Sequence, residues 1–251
     1  MEETISNKKL LTTQEAVDEL VGEQFVEWLF EFIVHELQTW PPLEKISSGK
    51  FKQEKIRKFM IQRYLDSKAV WGGTGEDPGF LGFVIANLSE SDDPTAETAL
   101  SAIEVRYEEE KHGLSRELWE NLMKELGVGA EELKLSEPKE SGRNYVSDLS
   151  ELYSASEWQT AAGALAAYQI MNLEESRALV QLLKNNTQVS DPGLQALKIS
   201  AEQDNKTVIN PAKILEKIVF DKENKQLVWN GVWRHLDARK LYCEKIMKYL
   251  E

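Results

Sequence analysis

The sequence has little cysteine and histidine, with one Cys and three His in 251 residues. The single Cys243 cannot close a disulfide within the chain, which excludes a disulfide-stabilised secreted fold and favours a reducing compartment. No apolar run approaches the roughly 18 residues that a membrane-spanning helix requires. Residues 1–10 also lack the apolar core of a signal peptide. We therefore expect a cytoplasmic protein that does not associate with a membrane.

Positive charge is scarce as well, because 30 basic residues stand against 43 acidic ones and the net charge is −13. Contacts to phosphates would work against this negative field, so nucleic acid is not an expected partner. The apolar content of 41% is typical of a globular protein.

Apolar residues recur at helical spacing, and no segment shows the alternation of a β-strand. Thr12 and Glu15 have the spacing of a capping box, which follows a flexible N-terminus expected over residues 1–11. The proline pair after Trp40 ends the first long helix. Further helices are expected over residues 51–71, 80–88, 95–126 with an interruption at 112–113, from 154 onward, 174–185, 192–207 and from 214 to the C-terminus, broken near 221–225.

Glu, Pro, Gly and Ser make residues 136–147 the best linker candidate in the chain. The run of small residues at 161–168 would let helices approach closely, so it is expected to be the most buried segment. The helices on both sides of the short linker are amphipathic, and their apolar faces can be buried only by packing against each other. The pattern therefore predicts an all-α protein with a single domain over residues 12–251.

The sequence contains no Gly-rich phosphate loop, no nucleophile elbow and no zinc-ligand spacing. Glu108, His112 and Ser115 have the spacing that projects polar groups from one face of a helix. The adjoining charge run at 108–111 is also typical of a solvated face, so the spacing alone does not define a site.

Several weak motifs follow one another in a distinctive order. In chain order these motifs are Trp40-Pro41-Pro42-Leu43, Gln62-Arg63-Tyr64, Leu118-Trp119 and the run Gly163–Tyr168. This succession, from about Trp28 to the C-terminus, resembles the haem-oxygenase-like superfamily, which includes thiaminase-type and PQQ-synthesis-type proteins. Within it, the order is similar to that of the CADD-like, iron-containing redox enzymes, also called haem-oxygenase-like di-metal oxidases. The resemblance implies a haem-oxygenase-like multi-helix bundle.

In the CADD-like subgroup, two metal ions are held by a Glu and a His about two turns apart, a second Glu, and a late His-x-x-x-Asp-x-x-His motif. Matched to this sequence, the family's ligand positions fall on Glu108, Ser115, Gln169, Ser200, Asp204 and Thr207. Hydroxyls thus replace the three histidines and an amide replaces one carboxylate, and such groups are poor ligands for iron. His35, His112 and His235 do not restore the late motif. We therefore expect no metal cofactor, and no imidazole at the centre of the bundle.

Three functional interpretations follow from this resemblance. The first is a metal-free member of the family that binds a small organic ligand at the six matched positions. Its structural alternative is that these six residues only form a hydrogen-bonded core and bind no ligand. The second is an oxidase of a small organic substrate, with a mononuclear iron site built from Glu108, His112 and Asp204 or with no cofactor. The third is a protein-interaction module, in which the acidic surface and seven Trp mediate contacts, including those of a homodimer.

Two single residues invite comparison with other relatives. His35 lies on the first helix, where haem oxygenases place the proximal haem ligand, but its register favours packing or capping. Thiaminase-like relatives carry a nucleophilic Cys on a different helix, so Cys243 is interpreted as a small, partly buried residue.

Overall fold

The computed structural model describes residues 11–71, 79–92, 94, 96, 97, 100, 104, 114–155, 157–201 and 215–251. Of the flexible segment expected over residues 1–11, residues 1–10 lie outside these ranges. Within them the chain is all-α and forms no strand. Its helices are α1 (Thr13–Glu19), α2 (Glu23–Gln38), α3 (Pro41–Ser48), α4 (Gln53–Trp71), α5 (Gly79–Ser89), α6 (Leu114–Glu125), α7 (Ala130–Leu135), α8 (Glu140–Ala155), α9 (Trp158–Asn186), α10 (Gln195–Ala201) and α11 (Lys222–Ile246), followed by a 3₁₀ turn, Met247–Tyr249.

The capping box predicted at the start of α1 is confirmed. The backbone N–H of Thr12 donates to the Glu15 carboxylate at 2.7 Å, and the Thr12 hydroxyl accepts from the Glu15 backbone N–H at 3.3 Å. The predicted continuous first helix is divided at residues 20–22, because Leu20 takes an extended conformation that ends α1. Gly22, with a positive φ of 53°, lies at the N-cap of α2. The prolines after Trp40 end α2 as expected, and they also occupy the first turn of α3, where a missing N–H costs nothing.

The predicted linker over 136–147 is wrong for most of its length, because α8 begins at Glu140. Its apolar residues Tyr145, Leu149 and Leu152 are four and three places apart and are all buried. The polar residues between them hid this helical spacing. The connection between α7 and α8 is therefore reduced to residues 136–139.

The two helices predicted over residues 154–185 are one helix of 29 residues, α9. The break expected near 221–225 is present, because residues 216–221 form turns and a bend and α11 begins at Lys222. The Asp221 carboxylate accepts from the backbone N–H of Asn224 at 2.8 Å and caps α11.

Helices α9 and α11 form the centre of the bundle and cross at two glycines. A Cβ added at Gly163 would overlap the backbone of Val228, and one added at Gly231 would overlap the carbonyl oxygen of Thr160. All residues from Thr160 to Ala167 are buried, which confirms the expected burial of the small-residue run. This close crossing brings the inward side chains of α9 and α11 together at the centre.

No helix in the described part of the chain is both long enough and apolar enough to cross a bilayer.

Candidate functional site

The structure gives no side-chain position for most of the six residues matched to the family's ligand positions. Ser115 lies in α6 and Ser200 in α10, but their side chains fall outside the described set. Wholly outside the described residues are Glu108, His112, Asp204 and Thr207. The six-residue pocket and the mononuclear set therefore stay predictions, and only Gln169 can be placed.

Gln169 lies on α9 at the end of the small-residue run. Its side-chain oxygen Oε1 is buried and has no hydrogen-bond partner among the described residues. Leaving a buried acceptor without a partner costs roughly 1–3 kcal/mol. This oxygen is therefore available to a bound molecule.

The centre of the bundle contains an imidazole, so the expectation that it holds none is wrong. His235 lies on α11 and is fully buried. Its Nδ1 is 3.3 Å from the hydroxyl of Tyr153 on α8. Its Nε2 is buried and has no hydrogen-bond partner within the part of the chain that the structure describes. His235 is three residues from the buried Val232 and four from the buried Arg239, so it lies on the inward face of α11. His235 is not part of the family's metal motif.

Aromatic rings lie on two sides of His235. The ring centre of Tyr168 is 5.8 Å from that of His235, and the ring centre of Tyr153 is 6.2 Å away. Phe80 from α5 stacks on Tyr153 at 5.2 Å. Burial in these surroundings, reinforced by the guanidinium of Arg239, lowers the pKa of His235 to about 3. The imidazole is therefore neutral at neutral pH, with one N–H and one lone pair.

Four charged side chains meet in the core near His235, and Arg63, Asp66, Glu175 and Arg239 are here named the buried charge cluster. Each is at most 6% exposed. Arg63 donates to Glu175 at 2.7 Å, and Arg239 donates to both carboxylate oxygens of Glu175 at 2.8 and 2.5 Å. Asp66 lies 3.3 Å from Arg63 and 3.9 Å from Arg239. Two carboxylates thus face two guanidiniums across α4, α9 and α11.

The two carboxylates of the buried charge cluster differ in how firmly they are ionised. Burial opposes ionisation of Glu175, but the guanidiniums of Arg239 and Arg63 outweigh it and lower its pKa to about 2. Burial dominates at Asp66 and raises its pKa to about 6 despite both arginines. Glu175 is therefore the permanent anion of the cluster, and Asp66 is the member whose charge changes just below neutral pH.

Aromatic rings and a thiol surround the cluster. Tyr145 and Tyr242 stack at 4.7 Å, and the Arg239 guanidinium lies 5.2 and 5.6 Å from their ring centres. Cys243, expected to be partly buried, is buried and donates to Glu175 with an S···O distance of 3.6 Å. Burial, and secondarily the Glu175 charge, raises the pKa of Cys243 to about 12. Such a thiol is not a nucleophile at neutral pH.

A cavity of about 10 Å³ adjoins the cluster and is lined by Trp40, Glu175 and Cys243 among others. A space of this size holds about one water molecule. The indole N–H of Trp40 is buried without a partner among the described residues, and a water there would satisfy it. The buried charge cluster is therefore a packed structural element, and an organic ligand does not fit beside it.

None of the features singled out from the sequence indicated the buried charge cluster. A signal was present, because Glu175 lies four residues from both Met171 and Leu179 and so interrupts an apolar column of α9. Arg239 likewise lies four residues from His235 and from Cys243. Charges of opposite sign inside the apolar columns of different helices are the pattern that predicts a buried pair.

The described residues do not fit a di-metal centre. Of the matched ligand positions, the one with a described side chain is an amide, and amides are weak ligands for iron. Across the described ranges, no group of three or more His, Cys, Asp or Glu is arranged to hold a metal ion. The metal-free site expected from the sequence remains a prediction.

His35 and the tryptophans bear on the remaining interpretations. His35 lies on the exposed face of α2, so it does not point into the bundle as a proximal haem ligand would. The tryptophans that the structure buries, as expected for core residues, are Trp28, Trp40, Trp119 and Trp158. Of the other tryptophans with described side chains, Trp229 is half-buried and Trp233 is exposed over 49% of its surface.

Solved structures with the same arrangement of helices define the class of fold. A domain of unknown function with a haem-oxygenase-like fold from Shewanella denitrificans has a TM-score of 0.67 at 15% identity, over 90% of each chain. A TenA homologue from Pseudomonas syringae pv. tomato has a TM-score of 0.68 at 13% identity, over 96% of this chain and 98% of its own. A CADD-like protein of unknown function from Nostoc punctiforme has a TM-score of 0.66 at 14% identity, over 87% and 94%. The fold is therefore haem-oxygenase-like, as the sequence predicted.

The family follows from the sequence profile of the TENA/THI-4/PQQC family, which matches residues 27–196. The chain belongs to this family. None of the curated proteins compared with it matches significantly. At these identities the structural neighbours establish the fold, and they do not establish an activity.

Proposed function

We propose that this protein binds a small organic molecule at the centre of its bundle, in contact with His235 and Gln169, without a metal ion. The proposal keeps the metal-free interpretation of the sequence. It adds an imidazole that the matched ligand positions do not include. The predicted contribution of Glu108, Ser115, Ser200, Asp204 and Thr207 stays part of the proposal.

The observation that carries the proposal is the buried Nε2 of His235, which has no hydrogen-bond partner among the residues described. A neutral imidazole has either an N–H or a lone pair at this atom, and burying either without a partner costs roughly 1–3 kcal/mol. A ligand that hydrogen-bonds to Nε2 recovers this free energy. The acceptor Oε1 of Gln169, the residue that follows Tyr168 on α9, offers a second polar contact.

The surroundings of His235 indicate the chemistry of the ligand. The rings of Tyr153 and Tyr168 present apolar surface, and the imidazole supplies one polar contact. Sites of this kind suit a molecule with an apolar or aromatic body and one or two polar groups. The charge of Arg239 is compensated by Glu175, so the site does not demand a charged ligand.

The same imidazole is a poor general base. A general base works best with a pKa near the working pH, whereas the pKa of His235 is lowered to about 3 by burial. Its role in the proposal is therefore recognition by hydrogen bonding. The oxidase alternative, with iron at Glu108, His112 and Asp204, depends on residues outside the described ranges and stays a prediction.

Phenol and benzene test the proposal, because they share a ring and differ in one hydroxyl. We expect phenol to shift the imidazole ¹⁵N signal of His235 and benzene to bind at least about fivefold more weakly, as one net hydrogen bond is worth about 1 kcal/mol. The variant is Tyr153→Phe/His235→Leu, which removes both partners of one hydrogen bond. Replacing both partners with apolar groups is nearly neutral for stability.

The control is His35→Leu, which removes an exposed imidazole and should leave phenol binding unchanged. The double variant should fold with a free energy of unfolding within about 1 kcal/mol of the original protein and should lose the preference for phenol over benzene. Equal binding of phenol to the original protein and the double variant would refute the proposal, as would a His235 signal that phenol does not move.

A further inference from the structure

We infer that the groove between α4, α6 and α7, distinct from the bundle centre, is a binding site for a small organic anion with an apolar body. The groove has a volume of about 730 Å³. This lies within the range of roughly 300–1,000 Å³ that is usual for small-molecule sites. The inference does not depend on the function proposed for His235.

The floor of the groove is apolar. Leu65 from α4, Leu133 from α7 and Val128 from the connection between α6 and α7 line it, with the ring of Tyr64 beside them. No residue of α7 is buried, and its Leu133, which lines the groove, is only partly buried. Helix α7 therefore has apolar surface that an occupant of the groove would partly cover.

The rim of the groove is basic. Lys68, Lys124 and Lys134 line it from three different helices, and all three are exposed. None of them forms an ion pair with another residue of the described chain, in contrast to Lys45, Lys58 or Lys240, which pair with glutamates. The groove thus collects positive charge that has no ion-pair partner among the described residues, in a chain whose net charge is −13.

The acidic residue that lines the groove does not cancel this charge. Glu120 accepts a hydrogen bond from the Tyr64 hydroxyl at 3.4 Å and lies 3.7 Å from the Nε of Arg116. Its charge is therefore directed at Arg116, one turn away on the same helix. An anion in the groove would face the three lysines, and its apolar part would lie on Leu65, Val128 and Leu133.

Charge complementarity selects the occupant. A cation would be repelled by the lysine rim, and a neutral molecule would gain only from the apolar floor. A carboxylate on an aromatic or aliphatic body uses both surfaces. The expected ligand class is therefore an amphipathic carboxylate small enough to be covered by α7.

The test measures the affinity of full-length protein for 1-naphthoate and for the uncharged 1-naphthalenemethanol by isothermal titration calorimetry. Naphthoate should bind at least about fivefold more tightly than the alcohol at low salt, since exposed charge pairs contribute up to about 1 kcal/mol each. This advantage should decrease as salt screens the charges. Equal affinity for the two compounds would overturn the inference.

The variant Lys124→Glu/Lys134→Glu should weaken naphthoate binding about tenfold or more and should change binding of the alcohol less than twofold. Its matched control is Lys184→Glu/Lys245→Glu, because these lysines are also exposed and also lie in the last turns of helices. The control should bind naphthoate within twofold of the original protein. Equal weakening in both double variants would show a general charge effect, and no weakening in the first would place naphthoate elsewhere; either result refutes the inference.

Discussion

Replacing Glu175 with Gln is the most direct test of the buried charge cluster. Gln has nearly the same shape, so the substitution removes the charge and exchanges one acceptor oxygen for an NH₂ donor with little change in volume. Glu175 accepts from Arg63 at 2.7 Å and from Arg239 at 2.8 and 2.5 Å. In the variant, an NH₂ group would face at least one guanidinium donor.

The expected loss of stability follows from the charge left behind. Without Glu175, the guanidiniums of Arg63 and Arg239 would share Asp66 as the remaining anion of the cluster, at 3.3 and 3.9 Å. Removing one partner from a buried ion pair costs about 3–5 kcal/mol. For a chain of this length, roughly 2–4 °C is lost per kcal/mol, so the melting temperature should fall by roughly 6–20 °C.

Two measurements give the magnitude. Urea unfolding followed by far-ultraviolet circular dichroism gives the free energy of unfolding, and its slope with denaturant should stay unchanged if the native fold is kept. Differential scanning calorimetry gives the shift in melting temperature. Both should agree on a loss of about 3–5 kcal/mol.

The control is Glu174→Gln, one residue earlier on α9. Glu174 pairs at 2.6 Å with Arg177, whose side chain is 55% exposed. Exposed pairs contribute about 0–1 kcal/mol, so this variant should lose no more than that. A loss below about 1 kcal/mol for Glu175→Gln as well would refute the argument that Glu175 holds two buried guanidiniums.

Two further predictions concern pH and helix crossing. The pKa of Asp66 is raised from 3.8 to about 6 in the folded state, so the folded protein binds a proton at higher pH than the unfolded chain does. Asp66 should therefore increase the free energy of unfolding by up to roughly 3 kcal/mol as pH falls from about 7 towards 4. The pKa of Glu175 is lowered to about 2, so the stability that Glu175 contributes is lost only below about pH 4.5. Urea unfolding across this range should show the rise in the original protein and not in Asp66→Asn, and an identical pH profile in both would contradict the assignment. Gly231→Ala should cost about 2–3 kcal/mol, because the new Cβ would overlap the Thr160 carbonyl and push α9 and α11 apart. The control is Gly142→Ala, where the new Cβ would lie 3.5 Å from its nearest neighbour, the Cβ of Pro138. Calorimetry should show no loss of stability for this variant and a gain of up to about 1 kcal/mol. Equal effects of the two substitutions would contradict the close crossing.

Local features of this protein were predictable from its sequence because neighbouring residues produce them. Thr12 and Glu15 cap α1 through atoms three residues apart, and the prolines after Trp40 act on their own backbone. The small-residue run could likewise be placed in the core, since Gly and Ala allow a close approach wherever the partner helix lies. The succession of such segments was sufficient to identify the haem-oxygenase-like fold.

Helix boundaries were less predictable where polar residues separate the buried ones. Residues 140–147 contain Glu, Ser, Gly and Arg, and this composition is also typical of a linker. Tyr145 becomes a core residue only because α11 supplies Tyr242 to stack on it. The division of α9 into two predicted helices was wrong for a related reason, as packing along its whole length keeps the 29 residues in one helix.

Tertiary structure alone decided which polar groups lie in the interior. Arg63 and Glu175 are 112 residues apart, and nothing near either residue shows whether its charge is buried or exposed. The same holds for His235, whose imidazole is neutral and buried because α8, α9 and α11 enclose it. The sequence by itself therefore determined most of the helices and the class of fold. Burial, ion pairing and the pKa values at the centre depended on contacts between distant helices, since those contacts exclude water and set the electrostatic environment of each charge.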